Sequence, residues 1–304
     1  MKLATVRLSD GAFVGVVIED DRVFALPDGQ SVGALVAGGL GPALEVGRAA
    51  RRGAGIPVES VSLALPFRPP SVRDFVTFES HVEGVRRSVD GASGVPEAWY
   101  DAPTFYFTNP HALYGPGEAI PRPRTCRALD FELEVACVLG SGGTDLDEDR
   151  ARAAIFGYTI MNDWSARDIQ SREMKVGLGP AKGKDFATSI GPWVVTADEV
   201  EDLHTSEGFL DLDCRVAVNG TEIGRDRLSH MGWTFAQMIA YASRDSVVVP
   251  GDLLASGTTG GGGCLAELWG RRGRQDPPPL EPGDEVVMDV ERLGALVGSV
   301  AEAP

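Results

Sequence analysis

Apolar and polar positions alternate over residues 1–26, as is typical of short β-strands. Residues 31–54 instead place apolar side chains at roughly helical spacing and are predicted to be helical. The proline-rich passage 57–70 follows. We therefore predict a small β-domain over residues 1–68 and a larger domain over 69–304. The predicted strands of the small domain are Lys2–Leu8, Ala12–Glu19 and Arg22–Leu26.

The larger domain mixes predicted helices with predicted strands. Apolar residues recur every three or four positions over Val72–Val89, which predicts a helix. Gly157–Met161 is a short apolar strand that leads into a predicted helix over Asn162–Met174, and Leu265–Trp269 is predicted to be a strand. Asn219-Gly220 between two alternating runs predicts a β-hairpin.

One apolar run carries a closely spaced pair of glutamates. Leu129–Leu139 is predicted to be a largely buried strand, yet it contains Glu132 and Glu134. Side chains two apart on a strand point the same way, about 7 Å apart at the backbone. Two like charges directed into an interior are costly unless a cation or a shared proton compensates them.

Two predicted helices place further charged groups on single faces. Asp74 and His81 lie seven residues apart, two turns of the first helix. Asp163, Arg167 and Gln170 lie at i, i+4 and i+7 of the second. An exposed ion pair without function explains that spacing equally well.

Composition narrows the class of protein. The chain has 304 residues, and its 38 glycines and 20 prolines favour a β-rich fold. A net charge of −16 argues against nucleic-acid and anionic-membrane partners. We expect no signal peptide and no membrane helix. Four widely spaced cysteines predict reduced thiols and a cytoplasmic protein.

The carboxylates suggest one kind of metal site. Oxygen ligands without His or Cys suit Mg²⁺ or Ca²⁺, with Mn²⁺ also accommodated, and argue against zinc. From the residues alone, the alternative that each acid is a solvated surface group stays open.

Seven motifs in order resemble the fumarylacetoacetate hydrolase family, and of its branches they resemble the fumarylacetoacetases more than the acylpyruvases. They are VRDF…SH (72–81), DFELEVACVLG (130–140), MNDWSARDIQ (161–170), GPAKGKDFATSIGPWVV (179–195), WTFAQMI (233–239), PGDLLASGT (250–258) and LAELWG (265–270). The resemblance implies a mainly β fold with some α: a mixed β-roll catalytic domain, preceded by a small SH3-like β-domain and usually dimeric.

The resemblance also implies the role of each site residue. The implied metal ligands are Asp74, Glu132, Glu134 and Asp163. The implied general base is His81, oriented by Glu267. The implied donors to substrate oxygens are Arg167, Gln170 and Lys184, and the further implied substrate contacts are Tyr106, Thr258 and Arg86.

The activity implied is hydrolysis of a C–C bond in a 1,3-dicarbonyl acid of aromatic catabolism, fumarylacetoacetate- or acylpyruvate-like. One alternative is an isomerase, hydratase or decarboxylase of 2-oxo or 2-hydroxy-dienoic diacids. The other is a non-catalytic member that binds metal and a 2-oxo acid. The chain departs from the fumarylacetoacetases at Val76, where they have tyrosine, at Asp90, where they have arginine, and in the loop region before the paired-glutamate strand.

Overall fold

Strands dominate the fold over residues 1–89 and 91–303, the part of the chain that this computed structural model describes. The strands are β1 Lys2–Arg7, β2 Phe13–Glu19, β3 Arg22–Ala25, β4 Ile56–Pro57, β5 Ser62–Ala64, β6 Val72–Phe75, β7 Phe105–Thr108, β8 Leu113–Tyr114, β9 Ala119–Pro121, β10 Leu129–Asp130, β11 Leu133–Leu139, β12 Ile155–Asp163, β13 Ser165–Ala166, β14 Thr188–Thr196, β15 Asp213–Val218, β16 Thr221–Arg227, β17 Leu253–Ala255, β18 Glu285–Val290 and β19 Gly294–Ala301. The helices are α1 Val32–Gly38, α2 Leu40–Ala50, α3 Glu79–Val89, α4 Glu148–Ala153, α5 Arg167–Met174, α6 Phe235–Ser243 and α7 Leu265–Arg272.

A mixed sheet of twelve strands carries the site. Its main order is β4-β3-β2-β1-β14-β12-β11-β17-β6-β7, and a five-stranded sheet has the order β16-β15-β18-β19-β9. The central strands β11 and β12 are buried along their whole length, as their continuous apolar sequences require. They pair antiparallel, with Glu134 opposite Met161. The sheet-dominated fold predicted from the sequence is confirmed.

The first strands extend this large sheet. β1 pairs antiparallel with β14, Lys2 opposite Val195. Leu3 and Val17 pack in one apolar cluster with Val138 of β11. The helical prediction for residues 31–54 corresponds to α1 and α2. A separate SH3-like domain ending at residue 68 stays a prediction.

The helix predicted over Val72–Val89 is wrong in its first part. Val72–Phe75 is strand β6, which runs parallel to β17, and α3 starts only at Glu79. All four β6 residues are buried, so the apparent helical spacing of Phe75 and Phe78 spans a strand and a loop. Asp74 and His81 therefore do not share a helix face. Asp90 lies outside the described residues.

Two further elements differ from prediction. β12 runs to Asp163 and α5 begins at Arg167, so these two residues are not on one helix. Leu265–Trp269 belongs to helix α7, not to a strand. Cys264 caps its start and Gly273 ends it in the left-handed conformation, φ 66°.

The hairpin prediction is confirmed. β15 and β16 are joined by Asn219 and Gly220, both with positive φ, as a tight hairpin turn requires. No helix within residues 1–89 and 91–303 combines the length and apolar character needed to cross a bilayer.

Candidate active site

Four acidic side chains meet near one end of strands β6, β11 and β12 of the large sheet. Asp74 lies on β6 and Glu134 on β11, with β17 between these two strands, while Glu132 immediately precedes β11. Ligand atoms of these three acids all lie within 4.8 Å of one another. Asp163, at the end of β12, joins them through Tyr106, whose hydroxyl lies within hydrogen-bond distance of Asp74 and Asp163. All four acids are buried.

Burial and mutual repulsion disfavour ionisation of three of these acids. Burial raises the pKa of Asp74 and of Glu134, and neighbouring carboxylates raise both further. Burial also raises the pKa of Asp163, against the opposing effect of Lys184. Glu132 differs: burial favours its neutral form, but Lys184 and Arg167 lower its pKa well below the usual range. With all four acids ionised, the cluster would carry more negative charge than Lys184 and Arg167 compensate.

Two buried cations flank the acids. Lys184 Nζ donates to Asp163 Oδ2 at 2.6 Å and also contacts Glu132. Arg167 Nη2 lies 2.7 Å from Glu132 Oε1, and its Nη1 donates to Gln170 Oε1 at 3.1 Å. The sequence analysis named Arg167, Gln170 and Lys184 as site residues. Helical spacing is not what brings Asp163 close to them, because Asp163 lies on β12 and α5 begins only at Arg167.

Asp130 is a site residue that sequence reasoning missed. Its carboxylate is fully buried and accepts from Arg167 Nε at 2.8 Å and from the backbone N–H groups of Leu265 and Ala266 at 2.8 and 2.9 Å. It thereby fixes the guanidinium of Arg167 to the start of helix α7. The sequence contained a signal that could have identified Asp130, because it is a third acid in the same apolar run as the paired glutamates.

His81 enters the site from helix α3. Its Nδ1 lies 3.7 Å from Cys264 Sγ, and ligand atoms of His81, Glu132 and Cys264 lie within 4.8 Å of one another. Burial lowers the pKa of His81 to about 4, so the imidazole is neutral at neutral pH. A neutral imidazole can accept a proton, as a general base must. Cys264 was not anticipated from the sequence.

The carboxylate of Glu267 contacts Gly262 and Arg271 rather than the imidazole of His81. Its carboxylate accepts from Gly262 N at 3.3 Å and pairs with Arg271 at 2.5 Å, and burial raises its pKa to about 7. Among the described residues the structure shows no hydrogen bond between Glu267 and His81. Instead Glu267 packs so closely on α3 that a Cβ at Gly84 would lie 2.6 Å from its Cγ. The predicted pairing of this acid with the base is not made in this conformation.

A cavity of about 240 Å³ opens onto the cluster. Thr258 forms part of its wall and donates to Glu134 Oε1 at 3.4 Å. Arg86 lines it farther out, with Nη1 donating to Gly94 O at 2.6 Å. The predicted site residues that line this cavity are Asp74, His81, Arg86, Tyr106, Glu132, Glu134, Arg167, Gln170, Lys184 and Thr258.

The acid cluster fits a divalent cation. Its donors are carboxylate oxygens, the ligands that Mg²⁺, Ca²⁺ and Mn²⁺ prefer. Asp163 Oδ1 is buried and accepts no hydrogen bond from any residue that the structure describes. A cation beside Asp74, Glu132 and Glu134 would compensate the negative charge of these carboxylates.

Comparison with known proteins identifies the family. The family model described as fumarylacetoacetate (FAA) hydrolase C-terminal matches residues 71–301. A fumarylacetoacetase of Oryza sativa subsp. japonica is 29% identical over 299 residues, covering 81% of this chain and 70% of that protein. A fumarylacetoacetase of Bos taurus is 32% identical over 282 residues, covering 75% and 67%.

Solved structures show the same fold. A 5-carboxymethyl-2-hydroxymuconate delta-isomerase of Mycobacterium smegmatis is 26% identical and superposes with a TM-score of 0.71 over 100% of both chains. A maleylpyruvate hydrolase of Sphingobium sp. SYK-6, solved in complex with manganese(II) ion and pyruvate, is 22% identical with a TM-score of 0.73, again over 100% of both chains. Since the matched family model spans most of the sequence, this chain belongs to the fumarylacetoacetate hydrolase family.

Proposed function

We propose that this protein is a divalent-cation-dependent hydrolase that cleaves a C–C bond in a 1,3-dicarbonyl acid of the acylpyruvate or fumarylacetoacetate type. The observation that carries the proposal is the placement of a neutral imidazole, His81, beside buried acids and two buried cations at the floor of one cavity. The names of its relatives support hydrolysis as the reaction class.

In this proposal Asp74, Glu132, Glu134 and Asp163 hold the cation. When bound, Mg²⁺, Mn²⁺ or Ca²⁺ supplies Lewis-acid polarisation of the substrate's carbonyl oxygens. Strands β6, β11 and β12 of one sheet carry three of the carboxylates, Glu132 immediately precedes β11, and Tyr106 links Asp74 to Asp163.

His81 serves as the base in this proposal. Its imidazole removes a proton from water, and the resulting hydroxide attacks the carbonyl carbon remote from the substrate's carboxylate end. The C–C bond then breaks, its electron pair passes to the leaving enolate, and the imidazolium returns the proton to that enolate carbon. Water is consumed and two carboxylic acids are formed, so the step balances.

Arg167, Gln170 and Lys184 are the proposed donors to substrate oxygens. Preorganised donors of this kind commonly contribute about 3 kcal/mol each where negative charge develops. Asp130 and Glu132 fix the plane of the Arg167 guanidinium before substrate arrives. Tyr106 and Thr258 complete the floor of the cavity, and Arg86 lies at its outer part.

Glu267 is proposed to support His81 indirectly. Its side chain packs on helix α3 at Gly84, three residues after the base. Its backbone N–H donates to Cys264 Sγ at 3.4 Å, and that sulfur contacts the imidazole. The acid and the thiol together fix the helix and the ring.

One experiment tests the reaction class. The purified protein is incubated with acetylpyruvate and Mg²⁺ or Mn²⁺, and pyruvate release is followed with lactate dehydrogenase. Cation-dependent release that is lost in His81→Ala is expected. Turnover of acetylpyruvate that is unaffected by His81→Ala would exclude the proposed base.

An isomerase is the second candidate, because the solved structures at 25% and 26% identity are named isomerases. An isomerase would change the ultraviolet absorbance of a 2-hydroxy-dienoic diacid without consuming water or releasing pyruvate. The two assays run on the same enzyme sample separate these reaction classes.

We further propose a cytoplasmic homodimer that acts in aromatic catabolism. The four cysteines are free and buried, which suits a reducing compartment. The dimer and the catabolic role rest on the family resemblance. Light scattering at several protein concentrations would test the dimer, and a monomer at all of them would exclude it.

A further inference from the structure

On each of the two helices that line the cavity, the side chains near the acids are polar, and most of those farther along the helix are apolar. Helix α5 presents Arg167, Gln170 and Met174 to the cavity, at i, i+3 and i+7. Met174 is one turn beyond Gln170, about 6 Å farther along the axis. The wall formed by this helix therefore changes from cationic to amide to thioether.

Helix α3 shows the same gradient. His81 faces the acids near its start, whereas Val82 and Val85 line the cavity farther along the helix. Val85 lies one turn beyond His81, again about 6 Å along the axis. Both helices thus direct polar groups at the reacting end, and apart from Arg86 on α3 they present apolar groups at the outer end.

Further apolar side chains line the cavity. They are Phe75, Val76 and Pro180. Beyond Met174 the chain continues with Val176 and Leu178, which are 73% and 90% exposed.

One cation lies in this outer part. Arg86 lines the cavity, but its Nη1 donates to the carbonyl of Gly94 at 2.6 Å, so the guanidinium is directed toward that loop. Among the described residues, the other cationic side chains of the cavity wall are the two beside the acids, Arg167 and Lys184, since the imidazole of His81 is neutral.

We infer that the substrate group extending outward from the dicarbonyl is an alkyl or aryl tail, not a second carboxylate. This inference rests on the proposed function and specifies its substrate class. A carboxylate placed among Val82, Val85 and Met174 would lose hydration without gaining a partner, which is costly. An apolar tail would instead bury its surface there.

A pair of isosteric substrates tests the inference. Isocaproylpyruvate ends in an isopropyl group and succinylpyruvate ends in a carboxylate of nearly the same shape. Hydrolysis of either releases pyruvate, so one assay serves for both. We expect kcat/KM to favour isocaproylpyruvate by about 100-fold. Equal values, or a preference for succinylpyruvate, would overturn the inference, whereas no pyruvate from either would contradict the proposed function instead.

Variants of residues that line the cavity test whether these residues cause the substrate preference. Val85→Lys introduces a cation at the outer end and should shift the ratio toward succinylpyruvate by roughly tenfold. Val85→Met, of similar length and uncharged, is the matched control and should keep the wild-type preference. Arg86→Met should leave the ratio unchanged, and a selective loss of succinylpyruvate turnover in that variant would show that Arg86 receives a carboxylate, against the inference.

Discussion

Arg167 Nε donates to Asp130 Oδ2 at 2.8 Å, and both side chains are buried. The same carboxylate accepts the first backbone N–H groups of helix α7, Leu265 and Ala266. Asp130, which is not among the predicted metal ligands, therefore links Arg167 to helix α7, the helix that carries Glu267.

Asp130→Asn should reduce both stability and activity. An amide keeps the shape but cannot accept all of these hydrogen bonds, and Arg167 loses one of its two buried carboxylate partners while keeping Glu132. We expect a loss of about 3 kcal/mol in unfolding free energy and of about 100-fold in kcat/KM. Denaturant unfolding and pyruvate release measure the two effects. The control is Asp168→Asn, at the exposed residue that follows Arg167 on α5. An equal loss in that variant would contradict the role assigned to Asp130.

Removing divalent cations should abolish activity, and adding them back should stabilise the fold. At a cation concentration a hundred times its Kd, the gain in unfolding free energy is about 2.7 kcal/mol. Thermal shift with Mg²⁺, Mn²⁺ and Ca²⁺ measures it. Glu134→Gln should eliminate the shift. Asp252→Asn, which removes a buried acid bonded to Arg73 outside the cavity, should retain it. A shift that persists in Glu134→Gln would place the cation elsewhere.

The stability of the cation-free protein should fall as pH rises. The folded-state pKa values of Asp74 and Glu134 are raised, so the folded protein holds more protons than the unfolded chain above about pH 4. Stability is therefore lost from there up through the raised pKa values. Urea unfolding between pH 5 and 8 should show this slope, and saturating Mn²⁺ should flatten it. A cation effect independent of pH would contradict the link to these acids.

His81→Ala should lower kcat by roughly a hundredfold to ten-thousandfold, as expected for loss of a general base. The thermal shift with Mn²⁺ should remain. His230→Ala is the control, because that exposed imidazole pairs with Asp226. In the unsubstituted enzyme the acid limb of kcat/KM should fall near pH 4, where His81 takes up a proton, and not near 6.5. A midpoint near 6.5 would mean that the imidazole is solvated during turnover.

Glu267→Gln should reduce kcat less than tenfold, because its carboxylate contacts Gly262 and Arg271 and the amide preserves the packing at Gly84. Steady-state kinetics of Glu267→Gln and His81→Ala, measured in parallel, provide the comparison. A loss of 100-fold or more would show that the acid reaches the imidazole during turnover, as the family resemblance implied.

Local patterns predicted some elements correctly and others wrongly for identifiable reasons. The Asn219-Gly220 hairpin follows from short-range alternation and turn chemistry, which depend little on distant residues. The strand predicted over Leu129–Leu139 is correct for Leu133–Leu139, but the strand is interrupted at Phe131 and Glu132, so only Glu134 of the paired glutamates lies on it. Val72–Phe75 and Leu265–Trp269 were assigned the wrong type, because short apolar runs suit a buried strand and a buried helix alike. Only their neighbours, β17 for the first and the Cys264 cap for the second, decided between them.

By itself, the sequence determined which residues are candidates for the chemistry. It contained a buried pair of acids that required compensation, a set of oxygen ligands, and the motifs that place the chain in its family. Tertiary structure decided which of these groups meet. Asp130 and Arg167 are 37 residues apart, and His81 and Cys264 are 183 apart. Spacing along a chain specifies the face of one element, whereas contacts between elements depend on strand pairing and helix packing that no local pattern contains.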